Sequence, residues 1–195
     1  MCFWGYKMKF KLFLLTMFIF SILSCSKNQN RILQQADEII SVLENKRYNE
    51  LINYINKDEG LYVAQRISTP VKYYNHLSYD DLETVMENNK EYSFYIDDDP
   101  SERWNTTVYK FLNSSYPIDQ TRTRKSSYNE PISIIDWGIT VQSISEIFQD
   151  CIFVEYYYEP SGLYGAIDWT SVYLIFNETK NGINLIGLAC NYAGI

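Results

Sequence analysis

Apolar residues recur along this chain with two different periods, and the change of period divides it in two. Ile32, Leu33, Ala36, Ile39, Ile40 and Leu43 fall at three- and four-residue intervals, with Asp37, Glu38, Glu44 and Lys46 filling the other side. That spacing predicts an amphipathic helix. Leu51, Ile52 and Ile55 predict a second, short helix over 49–56, stopping near Lys57-Asp58-Glu59-Gly60 with Gly60 as its C-terminal cap. Ser78 with Asp81 three residues later has the form of a helix start leading into Leu82, Val85 and Met86. Trp104, Val108, Phe111 and Leu112 predict one or two further amphipathic turns, so helices are expected to dominate the first half.

In the second half the period shortens. Cys151 to Tyr158, Thr170 to Phe176 and Ile183 to Cys190 are rich in β-branched and aromatic residues, separated by Glu159-Pro160-Ser161-Gly162 and by a turn containing Asn181-Gly182. They read as three consecutive strands of an antiparallel meander. In the first of these, Ile152, Val154, Tyr156 and Tyr158 share one face while Phe153 and Tyr157 share the other, so both faces carry bulk that needs cover. The fold class expected is α+β, with N-terminal helices packed on a curved antiparallel sheet.

The beginning of the chain has a third character. Lys7, Lys9 and Lys11 precede Leu12 to Leu23, an apolar stretch of 12 residues interrupted only by Thr16 and Ser21. A membrane-spanning helix needs about 20 such residues, so this is the h-region of an export signal. Ile22-Leu23-Ser24-Cys25 resembles a bacterial lipobox, with Leu23 larger than is usual at its position. Cys25 is therefore the expected lipidation site and mature N-terminus. An ordinary cleaved signal and an uncleaved anchor are the alternatives, and Met8 could serve as the start in place of Met1. The organisation expected is a signal peptide over 1–24, a lipidated cysteine and short tether over 25–30, and one α+β domain over 31–195. The location expected is the bacterial cell envelope, with the membrane as partner through the lipid.

Charge narrows the partners. The chain carries a net charge of −7, and removal of residues 1–24 takes three lysines and no acid, moving it to −10. A domain this acidic repels nucleic-acid backbones and anionic headgroups, which argues against nucleic-acid binding and for basic partners. One histidine, His76, excludes a multi-histidine metal site, and no nucleophile elbow, Cys-x-x-Cys, zinc-protease or phosphate-loop motif is present. No cofactor and no metal are expected. Asp97-Asp98-Asp99-Pro100 lacks the spacing of a calcium loop and reads as a solvated turn. Thr121 to Ser126 reads as a basic surface loop or partner contact, His76 as a surface residue, and three N-x-S/T triplets as coincidence. With Cys25 lipidated, Cys151 and Cys190 remain. A simple meander puts them at opposite ends of its outer strands, so both are expected to be buried, unbridged thiols.

The order of helices, mixed middle and C-terminal meander resembles the cone-shaped roll of the nuclear-transport-factor-2-like (cystatin-like) superfamily. Phe153-Val154-Glu155-Tyr156, Asp168 to Phe176, Asn184 to Leu188 and Gly60-Leu61-Tyr62-Val63 are similar to segments of an uncharacterised family of secreted or lipid-anchored bacterial domains. The resemblance implies a fold and no activity. In enzymes of that superfamily such as ketosteroid isomerase, a tyrosine and carboxylates inside the cone move protons. Tyr156, Tyr158, Asp168, Trp169, Asp136 and Trp137 are the residues here that could line such a mouth, with plain core packing as the competing role. Three functions are open: a lipid-anchored envelope binding or scaffold domain with a protein or small-molecule partner and no catalysis; an envelope inhibitor or immunity protein against a basic toxin or hydrolase; and a small pocket enzyme of the ketosteroid-isomerase type.

Overall fold

The computed structural model describes residues 28–67, 71–96, 99–133, 148, 151–162, 168–180 and 182–192. The signal segment, Cys25, Asp97, Asp98, Asp136 and Trp137 lie outside the described residues. The chain divides into two compact units, Met1–Gln35 and Ala36–Ile195. Of the first, residues 28–35 are described and are helical; of the second, helix continues over 36–44, and the whole run 28–44 is α1. The helix closes where Lys46 takes a left-handed conformation (φ 57°), so that the Arg47 N–H returns to the Val42 carbonyl at 3.0 Å.

The second predicted helix is a single 3₁₀ element, Tyr48–Asn53. Beyond it the Tyr54 carbonyl accepts a hydrogen bond from Leu185 N at 2.7 Å, a partner far along the chain in place of a further helical one. Gly60 then ends the turn with φ 70°, its N–H bonded to Asn56 O at 2.9 Å, in the capping role its position predicted.

Strands, rather than helices alone, build the remainder of the first half. Among the described residues, β1 (Leu61–Val63), β2 (Asn75–Leu77), β3 (Tyr92–Ile96) and β4 (Asp99–Thr106) alternate with a 3₁₀ turn over Val71–Tyr73 and two short α-helices, α2 (Tyr79–Glu83) and α3 (Val108–Ser115). The Ser78 start is present as a full capping box: its hydroxyl accepts from Asp81 N, and the Asp81 carboxylate accepts from Ser78 N at 3.0 Å. Trp104 belongs to β4 and not to a helix, because Thr107 caps α3 one turn later by accepting from Lys110 N at 3.3 Å. The β3–β4 hairpin stacks on that helix through Phe94 and Phe111, rings 4.1 Å apart and nearly parallel.

The main sheet has six strands in the order β2-β1-β8-β7-β6-β5, where β5 is Arg124–Tyr128, β6 Ile152–Tyr158, β7 Thr170–Thr179 and β8 Gly182–Tyr192. The three predicted strands form the predicted meander: β6 pairs antiparallel with β7, and β7 with β8. One pairing departs from an all-antiparallel sheet, since β1 runs parallel to β8, with Tyr62 opposite Gly187. A strand arriving from the distant first half is free to lie either way, whereas a tight hairpin forces antiparallel neighbours. Between Ile175 and Phe176 the register shifts, leaving Ile186 as the extra residue of a bulge.

Both faces of the sheet are covered, as the alternation along β6 required. Val154, Tyr156, Val172, Leu174, Leu188 and Cys190 are buried on one; Phe153, Tyr173, Ile175 and Ala189 are buried on the other with Ala64, Ile67 and Tyr74. Central strand β7 is buried continuously from Thr170 to Phe176, the pattern of a strand covered on both sides. Each such aliphatic or aromatic side chain contributes about 1.5–3 kcal/mol. Tyr116, past the end of α3, sends its buried hydroxyl to the Leu188 and Ala64 carbonyls at 3.0 and 3.3 Å.

Cys151 and Cys190 are both thiols. The register explains it: Cys151 lies one residue before the Ile152–Phe176 pair and Cys190 faces Val172. The two alpha carbons are therefore about 19 Å apart at strand spacing, against the roughly 4.4–6.8 Å a bridge needs. Only Cys190 is fully buried; Cys151 is partly exposed, a correction to the expectation for it. Among the described residues, no helix is long and apolar enough to cross a membrane.

Candidate functional site

The residues singled out in sequence separate onto different parts of the sheet. Tyr156 and Tyr158 lie two apart on β6 and point the same way, toward the helix. The Tyr156 hydroxyl donates to Asp37 Oδ1 at 2.8 Å, and the Tyr158 hydroxyl to Glu44 Oε1 at 2.8 Å. Asp37 and Glu44 are seven residues apart, two helical turns, so both carboxylates lie on the same side of the helix. Arg124 from β5 completes the group: its guanidinium bonds Glu44 at 2.7 Å, sits 4.0 Å from Asp37 and lies over the Tyr156 ring at 5.1 Å.

Burial and then the hydrogen bond to a carboxylate push both phenols upward, Tyr156 by Asp37 and Tyr158 by Glu44. They are thus fixed as neutral donors. A general acid or base working near neutral pH needs a value moved toward 7, not away from it.

Asp168 has a different job. Its carboxylate accepts from Ser161 N at 3.1 Å and from the Ser161 hydroxyl, and Arg122 lies 3.5 Å away. Those Ser161 hydrogen bonds outweigh partial burial and hold the carboxyl below its usual value. Trp169 packs on Tyr157, ring centroids 5.9 Å apart, on the face opposite to Tyr156 and Tyr158. Asp136 and Trp137 lie outside the described residues. The basic segment Thr121 to Ser126 is exposed, yet its cations are engaged within the chain: Arg122 with Asp119 at 3.1 Å, Arg124 as above, and Lys125 with Glu159. It leads into edge strand β5 and is not a solvated loop.

Two features escape the sequence reading. Glu155 is wholly buried, with Ile132 N, Ser133 N (3.1 Å) and Ser171 Oγ (2.5 Å) all donating to its carboxylate. Ser133 Oγ in turn bonds the Tyr173 hydroxyl at 2.7 Å. The only signal was a lone acid inside an apolar strand. This cluster pins the chain after β5 to the sheet, and all of its donors are consumed in doing so.

The second feature is an open groove of about 450 Å³ at the β1–β2 end of the sheet, lined by Asp58, Glu59, Tyr62, His76, Phe148 and neighbouring residues. The His76 ring packs 4.9 Å from the Tyr62 ring, and Phe148 meets Tyr62 edge-on at 6.2 Å. His76 Nε2 is 2.7 Å from the Glu59 carbonyl, to which it donates. In sequence the single histidine gave no hint of this, because Tyr62 and Phe148 are 14 and 72 residues away from it. No family model, curated protein or solved structure matches the chain, so these groups carry their meaning by chemistry alone.

Proposed function

We propose that the protein is a lipid-anchored binding or scaffold domain of the bacterial cell envelope, held by Cys25 and without catalysis of its own. The observation that carries the non-catalytic part is the fate of the acid and phenol groups. Asp37, Glu44, Tyr156 and Tyr158 are engaged with one another and with Arg124, and Glu155 and Asp168 are saturated by hydroxyl and backbone donors. A proton-transfer site of the ketosteroid-isomerase kind needs a desolvated acid or base left open to substrate. The hydrogen bonds from β6 to residues 37 and 44 support reading the curved sheet and helix as a cone-shaped roll, closed on the side where an isomerase would be open.

The anchor rests on the lysines and apolar run of Lys7 to Ser21 followed by Ile22-Leu23-Ser24-Cys25. Two acyl chains give stable attachment where one gives marginal attachment. Radiolabelled palmitate should enter the wild type and not Cys25→Ser, and the wild type should sediment with membranes; label in the serine variant refutes the anchor. A second reading, an envelope inhibitor of a basic toxin or hydrolase, is favoured by the net charge of −7. Protection of cells expressing a toxin encoded beside it would support that reading over a passive scaffold.

A further inference from the structure

We propose that the groove at the β1–β2 end is a binding site for an arginine side chain presented by a basic partner protein. This deepens the binding-domain reading and rests on it. The floor is aromatic: Tyr62, one of the two large hydrophobic residues left exposed (38 %) among the described residues, with His76 and Phe148 against it. The rim is anionic: Asp58 and Glu59 are exposed and, among the described residues, form no ion pair. Lys57, their neighbour in sequence, has its ammonium 5.0 Å from the Tyr79 ring.

The rings and carboxylates that face the groove are electron-rich, and the rest of its described lining, Asn177 and Ile186, is uncharged. The His76 ring is held in place by its Nε2, which donates to the Glu59 carbonyl at 2.7 Å. Neither lysine nor arginine is among the described residues that line it. A hard metal ion would gain nothing from three rings, and an uncharged ligand would leave two carboxylates unanswered. A flat cation on an apolar stem answers both, stacking on aromatic faces while its N–H fork meets carboxylates. The groove is open, so a side chain projecting from another protein can enter while its backbone stays outside.

The geometry is built, not incidental. Gly60 allows the close approach of the Asp58-Glu59 turn to β2, since a Cβ there would fall 2.4 Å from Leu77 O and 2.8 Å from His76 Nε2. Gly187 does the same for the floor: a Cβ on it would press to 3.2 Å from Phe148 Cζ. Asn56 fixes the rim, its Oδ1 accepting from Asp58 N at 2.9 Å and its Nδ2 donating to Glu59 at 3.3 Å.

The chain contains a single histidine, so ¹³Cε1-histidine labelling of the full chain in detergent yields one ring signal, that of His76, inside the groove. Acetyl-arginine N-methylamide should move that signal saturably, and the uncharged, isosteric citrulline compound should move it at least about five-fold less tightly, the loss of two exposed charge contacts at roughly 0.5 kcal/mol each. Asp58→Asn with Glu59→Gln should weaken arginine binding by about the same factor, and Tyr62→Ala by about 2- to 5-fold. All three are surface changes, and the wild-type comparison of arginine with citrulline needs no variant. An absent or non-saturable shift with arginine, or equal binding of citrulline, overturns the proposal. The palmitate result for Cys25→Ser is independent of this signal, so failure of the anchored-domain reading and failure of the site are told apart.

Discussion

Glu155→Gln is the substitution that most directly tests how the sheet and the segment after β5 hold together. The carboxylate is inaccessible to water and takes Ile132 N on one oxygen, and Ser133 N and Ser171 Oγ on the other. An amide has the same shape but a single acceptor oxygen. If that oxygen faces Ser133 and Ser171, the new NH₂ confronts the Ile132 N–H; if it is flipped, the NH₂ confronts the Ser133 N–H. Ser171 can rotate its hydroxyl to accept, but a backbone N–H cannot. Losing one hydrogen bond to a carboxylate and stranding a buried donor costs about 3 kcal/mol. With an m-value of about 2 kcal/mol/M in urea, the unfolding midpoint should fall by about 1.5 M, followed by intrinsic fluorescence. Tyr173→Phe removes only the hydroxyl bonded to Ser133 Oγ and should cost about 1 kcal/mol, or about 0.5 M. Glu155→Met should be no better than the glutamine, because the two backbone donors remain whatever the side chain. A Glu155→Gln midpoint within about 0.3 M of wild type, or a methionine variant more stable than wild type, would refute the reasoning.

Three further outcomes are expected. Gly60→Ala places a Cβ at φ 70° and 2.4 Å from the Leu77 carbonyl, so strain and clash of about 2 kcal/mol should lower the calorimetric midpoint by about 4–8 °C; an unchanged midpoint contradicts it. Burial pushes Tyr48 up to about 12 and raises Tyr116, Tyr156, Tyr158 and Tyr173 as well. A raised folded value means stability fully present below the ordinary phenol pKa of about 10 and lost as pH climbs through the folded values. Absorbance at the phenolate band should therefore show exposed tyrosines ionising first and a late, cooperative rise coincident with unfolding; a single smooth titration near pH 10 with the fold intact would count against it. Burial also raises the Cys190 thiol to about 12, so an aromatic disulfide reagent should modify Cys151 in the native protein and spare Cys190 until denaturant is added, as mapped by mass spectrometry. Equal rates at the two cysteines would contradict their placement.

Local chemistry was legible wherever a few neighbouring residues decide the outcome. The helical period from Ile32 to Leu43, the Ser78–Asp81 capping box, Gly60 as a left-handed stop and the three C-terminal strands all follow from residues within one or two turns of each other, and all are present. The separation of Cys151 from Cys190 was legible too, because a meander fixes which strand ends are neighbours. What the sequence could not decide is every pairing whose partners are far apart in the chain. The parallel docking of β1 on β8 depends on a strand some 125 residues away, and nothing local prefers parallel to antiparallel there. Trp104 satisfied a helical spacing with Phe111 and still joined a strand, because the hairpin with Tyr92 to Ile96 offered it more. Tyr156 and Tyr158 announced an aromatic face, but only the packing of strand against helix decided that Asp37 and Glu44 would receive their hydroxyls. The groove is the extreme case: the Asp58-Glu59 turn, strands β1, β2, β7 and β8, and Phe148 contribute one or two side chains each. No segment carries its pattern, and it exists only once the six strands are in order.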